Sequence, residues 1–158
     1  MKNLIYIILL AIFFSSCAKS KNAMCTDATP ASEEARIKDF CSKNSITAQK
    51  DATGMYYEII NPGTTPSPDL NDSVDVLYKG TFLNGTILDE SQTTTYRSEL
   101  NDFIDGWTIG LQKIAKGGQI KMVIPSSLCY GCYGLPGAVE PNTILYFDVK
   151  LVDVIQMP

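Results

Sequence analysis

The densest reactive cluster in the chain is Cys129-Tyr130-Gly131-Cys132. A Cys-x-x-Cys pair at the head of a helix supports disulfide exchange, because the helix dipole favours the thiolate. Here the pair runs into a loop that also holds Gly134, Pro136, Gly137 and Pro141, so a thiol-disulfide oxidoreductase is disfavoured. A four-thiolate zinc site is disfavoured too, since only one pair has knuckle spacing. The sequence contains no His, which excludes Ser-His-Asp triads, Cys-His dyads and His-ligated metals. No metal and no cofactor is expected. What is left is a set of aromatics and carboxylates suited to binding more than to bond making, and on composition alone the lone Trp107 reads as a core residue.

The elements that would hold these residues can be read from their spacing. Trp107, Leu111 and Ile114 lie at i, i+4 and i+7, so they share one helical face, and Gly117-Gly118 supplies a stop. Ile120, Met122 and Ile124 alternate with Lys121 and Val123, as in a strand with one buried face. Leu145, Phe147, Val149 and Leu151 alternate with Asp148 and Lys150 in another. Upstream, Gly54 to Ile60 reads as a strand ended by Asn61-Pro62-Gly63, and Ser73 to Phe82 alternates strongly. Asn84-Gly85 marks a hairpin turn before Ile87, Leu88 and Asp89. These elements predict an α+β domain, with a curved antiparallel sheet of about five strands wrapped on one short helix. An N-terminal helix precedes it, with Ser32 as its expected cap and Ile37, Phe40 and Cys41 as a short apolar stripe that leans on the domain.

Phe103-Ile104, Gly106-Trp107, Ile124-Pro125, Tyr130-Gly131, the flap from Gly134 to Pro141 and Leu145 to Phe147 follow one another without a gap. In that order and spacing they resemble the FKBP-type peptidyl-prolyl isomerases. VDVLYKGTFLNGTILDES, from Val74 to Ser91, resembles the front half of the same family. Two residues depart from its pattern. Leu88 stands where the family has a pocket Phe, and Leu135 lies in the flap where animal members often have His. From Gln92 to Leu100 the family's strand has no clear counterpart, although Tyr96 stands near one of its aromatics.

The resemblance implies catalysed rotation about X-Pro peptide bonds, a reaction that needs neither nucleophile nor metal. It makes Trp107 the pocket floor, and Tyr78, Leu88, Phe103, Val139 and Phe147 its walls. Tyr130 becomes a hydroxyl donor, Ile104 a backbone N–H donor, and Asp89 a pocket carboxylate that either accepts from Tyr130 or sits near the polarised amide. Proline-containing polypeptides are the expected substrates and macrolides possible inhibitors, with the protein a monomer. The alternative is a non-catalytic FKBP-like binding or chaperone module, to which Leu88 and the degraded segment after it lend support.

Leu4 to Phe14 is an unbroken apolar run, shorter than the ~20 residues that span a bilayer. Phe14-Ser15-Ser16-Cys17 follows it and resembles the lipobox of bacterial lipoproteins. The expected organisation is a signal peptide over residues 1–16, a lipidated tether and short helix over residues 17–47, and the isomerase domain over residues 48–158. Cys17 would carry the lipid. Ala18 after it points to the outer membrane, facing the periplasm. Without residues 1–16 the chain holds twelve basic and seventeen acidic side chains, a formal −5, which argues against nucleic acid. An exported setting permits disulfides, and Cys25, Cys41, Cys129 and Cys132 allow three connectivities. The expected pairs are Cys129–Cys132, stiffening the loop around Tyr130, and Cys25–Cys41, pinning the N-terminal helix to the tether.

Overall fold

The computed structural model describes residues 24–157; the signal segment and Cys17 lie outside them. Six strands form one antiparallel sheet: β1 (Gln49–Lys50), β2 (Tyr56–Asn61), β3 (Ser73–Phe82), β4 (Ile87–Glu99), β5 (Gln119–Ile124) and β6 (Leu145–Ile155). Their spatial order is β1-β2-β5-β6-β3-β4, so β5 and β6 lie at the centre and β4 is an edge. The α+β architecture is the expected one, with one more strand than the five read from the pattern. The addition is β1, whose two exposed residues carry no alternation to read.

Helix α2 (Asp105–Leu111) packs across one face. Asp105 in its first turn suits the helix dipole. Trp107, Leu111 and Ile114 are all buried, with Ile120, Met122, Ile124, Leu145, Phe147, Val149 and Leu151 below them. The helix ends at Leu111, before the Gly117-Gly118 stop, and the chain continues in tight turns from Lys113 N–H to the Gly110 carbonyl and from Ile114 N–H to that of Leu111. Gly106 and Gly110 are what bring α2 so close. A Cβ at Gly106 would overlap the Ile124 side chain, and one at Gly110 would overlap Met122. The i, i+4 spacing puts both glycines on the sheet-facing side.

Helix α1 (Pro30–Lys43) covers a second patch, formed by Ile37, Phe40, Cys41, Ile46, Tyr56, Val123 and Ile144. Val123, expected to face outward, is therefore only 1% exposed. The α1 cap is Thr29, not Ser32: the Ser32 N–H donates to Thr29 Oγ1 at 3.2 Å. Strand β4 runs through all but the last residue, Leu100, of the segment that lacked a counterpart. It pairs Tyr96 with Val76 and Ser91 with Tyr78, so Gln92 to Thr95 bulge from the edge.

Candidate functional site

Where β3, β4, α2 and the loop after β5 meet, they enclose a cavity of about 540 Å³. Its floor is Trp107, 3% exposed. Phe103 stacks on the indole with ring centres 4.9 Å apart and planes at 19°. Tyr78 meets it edge-on at 5.1 Å, and Phe147 does the same at 5.3 Å. Edge-on and offset contacts match the positive rim of one ring to the negative face of another, so this box is held rigid. Phe147 can approach because Gly80 opposite it in β3 has no Cβ, which would run into the Phe147 ring. Leu88 lines the cavity, as does Tyr96, which packs against Phe103 at 5.9 Å.

The polar groups sit on this apolar box. Asp89 is an exposed residue in the lining. Of its two expected places the bond from Tyr130 is not made; the donor is the Tyr78 hydroxyl, at 2.6 Å to Asp89 Oδ2. Tyr78 pairs with Ser91 and Asp89 with Gly80, so the two lie diagonally across the Lys79–Glu90 pair on one face of the sheet, which brings them together. Asp89 Oδ1 accepts the Glu90 N–H at 2.9 Å. Burial, then the Asp89 carboxylate beside it, push the Tyr78 hydroxyl well above the usual phenol range. Tyr130 is also raised, by burial first and by its neighbours Cys129 and Asp89 after it. Both hydroxyls therefore stay protonated, as donors must. The Tyr130 hydroxyl and the Ile104 N–H at the start of α2 donate to no group among the described residues. Trp107 Nε1 is likewise buried without a partner among them.

The structure corrects one wall. Val139 does not line the cavity: it is 4% exposed and bridges to Leu135 within the flap, its carbonyl accepting the Leu135 N–H at 2.8 Å. Leu135 and Ala138 form the wall on that side, with Asp102 at the rim. Asp102 and Ala138 were missed, and neither carries a periodic or motif signal that would have singled it out.

Both expected disulfides are replaced by one between Cys25 and Cys132, which leaves Cys41 and Cys129 as free thiols. The short helical turn Gly131–Tyr133 presents Cys132 to the N-terminal segment. Cys129 turns inward, its thiol 3.9 Å from the Ile124 carbonyl, and burial raises its pKa strongly. Cys41 lies in the packed face of α1. Residues 25–28, expected as part of a loose tether, are thus attached to the loop after β5.

The sequence profile described as FKBP-type peptidyl-prolyl cis-trans isomerase matches residues 65–152. FKBP-type peptidyl-prolyl cis-trans isomerase FkpA of Escherichia coli K12 is 38% identical over 149 residues, covering 92% of this chain and 55% of its own length. The peptidyl-prolyl cis-trans isomerase Mip of Coxiella burnetii is 35% identical, covering 77% and 54%. The chain thus spans about half the length of these curated relatives. Among solved structures, that of E. coli FkpA has a TM-score of 0.72 at 39% identity, covering 82% of this chain and 62% of that one. A peptidyl-prolyl cis-trans isomerase of Pseudomonas syringae has a TM-score of 0.68 at 33% identity, covering 83% and 99%.

Proposed function

The chain belongs to the FKBP-type peptidyl-prolyl cis-trans isomerases, and on that premise we propose that it accelerates X-Pro rotation in exported polypeptides. The observation that carries this is the Trp107-floored aromatic cavity with two available donors, the Tyr130 hydroxyl and the Ile104 N–H. Uncatalysed rotation faces a barrier of about 18–20 kcal/mol, because it breaks amide resonance. Water favours the planar, more polar amide, and a box of Trp107, Phe103, Tyr78 and Phe147 removes that water. The flat indole suits the pyrrolidine ring. Once the amide twists, its nitrogen keeps the lone pair that the planar amide shares with the carbonyl, so a donor favours the twisted form if it meets that nitrogen or reaches the carbonyl only in the rotated geometry. No covalent step is needed, consistent with a sequence that contains no His.

A second reading, a non-catalytic module that holds proline-containing segments, is favoured by Leu88, which gives the wall an aliphatic surface instead of a ring. Protease-free prolyl isomerisation over a series of X-Pro peptides separates the two. Catalysis that a macrolide blocks, and that Tyr130→Phe lowers about three- to tenfold as expected for one hydrogen bond, supports the enzyme. Peptide binding without catalysis supports the module.

We further place the protein in a bacterial cell envelope, as a monomer anchored through lipid on Cys17 in the outer membrane and facing the periplasm. The apolar run from Leu4 to Phe14 and the Ser15-Ser16-Cys17 sequence support the lipid anchor. Metabolic labelling with a fatty acid analogue, lost in Cys17→Ser, tests it.

A further inference from the structure

The segment from Cys25 to Glu33 lies ahead of the residues that the family profile matches, yet it touches the loop carrying Tyr130 at several points. At the head of that loop, the Ser126 N–H donates to Glu33 Oε2 at 2.8 Å, and Glu33 is fully buried. In its middle, the Cys132 N–H donates to Asp27 Oδ1 at 2.7 Å, and Cys132 is also bonded to Cys25. At its far end, Asn142 Oδ1 accepts the Ala28 N–H at 2.9 Å. The loop's own bonds complete the frame: the Asn142 N–H donates to the Gly131 carbonyl at 2.8 Å, and the Gly134 N–H to the Tyr130 carbonyl at 3.0 Å. Gly131 has φ of +55°, and a Cβ there would lie 2.5 Å from Asp27 Oδ1. The glycine after Tyr130 thus leaves room for the Asp27 carboxylate as well as permitting the turn.

We propose that Asp27 and the Cys25–Cys132 bond are positioning residues for Tyr130, an external brace that holds its hydroxyl toward the cavity. Without the brace, the turn that begins at Tyr130 relies on its own few backbone bonds, and it lies at the protein surface. A donor displaced by ~1 Å can cost up to about a hundredfold in rate. Because the brace acts on one hydroxyl, its effect is bounded by what that hydroxyl contributes.

The inference rests on the isomerase reading, and its test keeps the two apart. In the full chain, Asp27→Ala and the pair Cys25→Ser with Cys132→Ser should each lower kcat/KM about three- to tenfold, up to the loss seen in Tyr130→Phe. In a Tyr130→Phe background the same changes should cost almost nothing. Asp27→Asn, whose amide oxygen can still accept the Cys132 N–H, should recover most of the activity. Equal losses in both backgrounds, or no loss in either, would overturn the brace. Amide hydrogen exchange supplies a readout that needs no catalysis: the Cys132 amide should exchange faster in Asp27→Ala and stay protected in Asp27→Asn. If the wild type proves inactive, the isomerase reading falls, and the exchange result alone decides the brace. Unchanged Cys132 protection in Asp27→Ala overturns it.

Discussion

The carboxylate of Asp89 does not stand alone in the site, because Tyr78 holds it from the next strand. Removing that hydroxyl in Tyr78→Phe keeps the ring against Trp107 but frees the carboxylate. The expected result is a three- to tenfold loss in kcat/KM, roughly one hydrogen bond's worth, with little change in the urea midpoint. The pH profile follows from the same residues. Burial raises the pKa of both Tyr78 and Tyr130, so deprotonation of either donor is deferred to beyond the usual phenol range near ~10. Catalysis should therefore be flat from about pH 6 to about pH 9, and an inflection near neutrality in kcat/KM would contradict this assignment of donors. At this scale the sequence was legible where a motif fixed both type and order. Trp107, Phe103, Tyr78, Leu88, Phe147 and Tyr130 all line the cavity. It was not legible where neighbours are set by register or by loop shape. Strand alternation places Asp89 and Tyr78 on faces but does not say that they meet, and the flap has no period that could separate Ala138 from Val139.

Among the elements, α2 depends on two glycines that let it rest directly on β5. Gly110→Ala drives a methyl into Met122 and should destabilise by about 1–3 kcal/mol in urea unfolding, Met being the more accommodating neighbour. Helix α1 is anchored differently, by Ile37, which is fully buried, and by Phe40 stacked obliquely on Tyr146 at 5.3 Å. Ile37→Ala should cost about 2–5 kcal/mol in the same measurement, showing that α1 belongs to the folded unit instead of riding on it. The strands that bury one face were readable from period two. Strand β4 was not, because its burial pattern is almost wholly exposed and the bulge from Gln92 to Thr95 interrupts its pairing. Val123 was misjudged for the opposite reason: a strand sequence cannot reveal that a helix from elsewhere will cover its second face.

Across the whole molecule, the carboxylates that pair with cations set the response to acid. The Arg97 guanidinium makes two bonds of 2.6 Å to the buried Asp75 and holds its pKa below the usual carboxylate value, and Lys116 does the same for Asp153. A carboxyl with a depressed folded pKa contributes stability above its unfolded value near ~4 and loses it as pH falls through the folded one. The urea midpoint should thus fall as pH drops below about 4, and less steeply in Asp75→Asn. The disulfide has a consequence of another kind, in the order of events during oxidative folding. Its cysteines lie 107 residues apart, whereas Cys25 and Cys41 are sixteen apart and are both synthesised long before Cys132. Closing the shorter loop is favoured by about 1.7 kcal/mol, roughly a seventeenfold advantage in encounter. The first cross-link to form would then be the wrong one, and thiol exchange must undo it before the native bond can close. Docking of α1 works against this trap by burying Cys41 to 6% exposure. Newly made chains should acquire a packed core first and their full catalytic rate only later, when the last thiols have found each other.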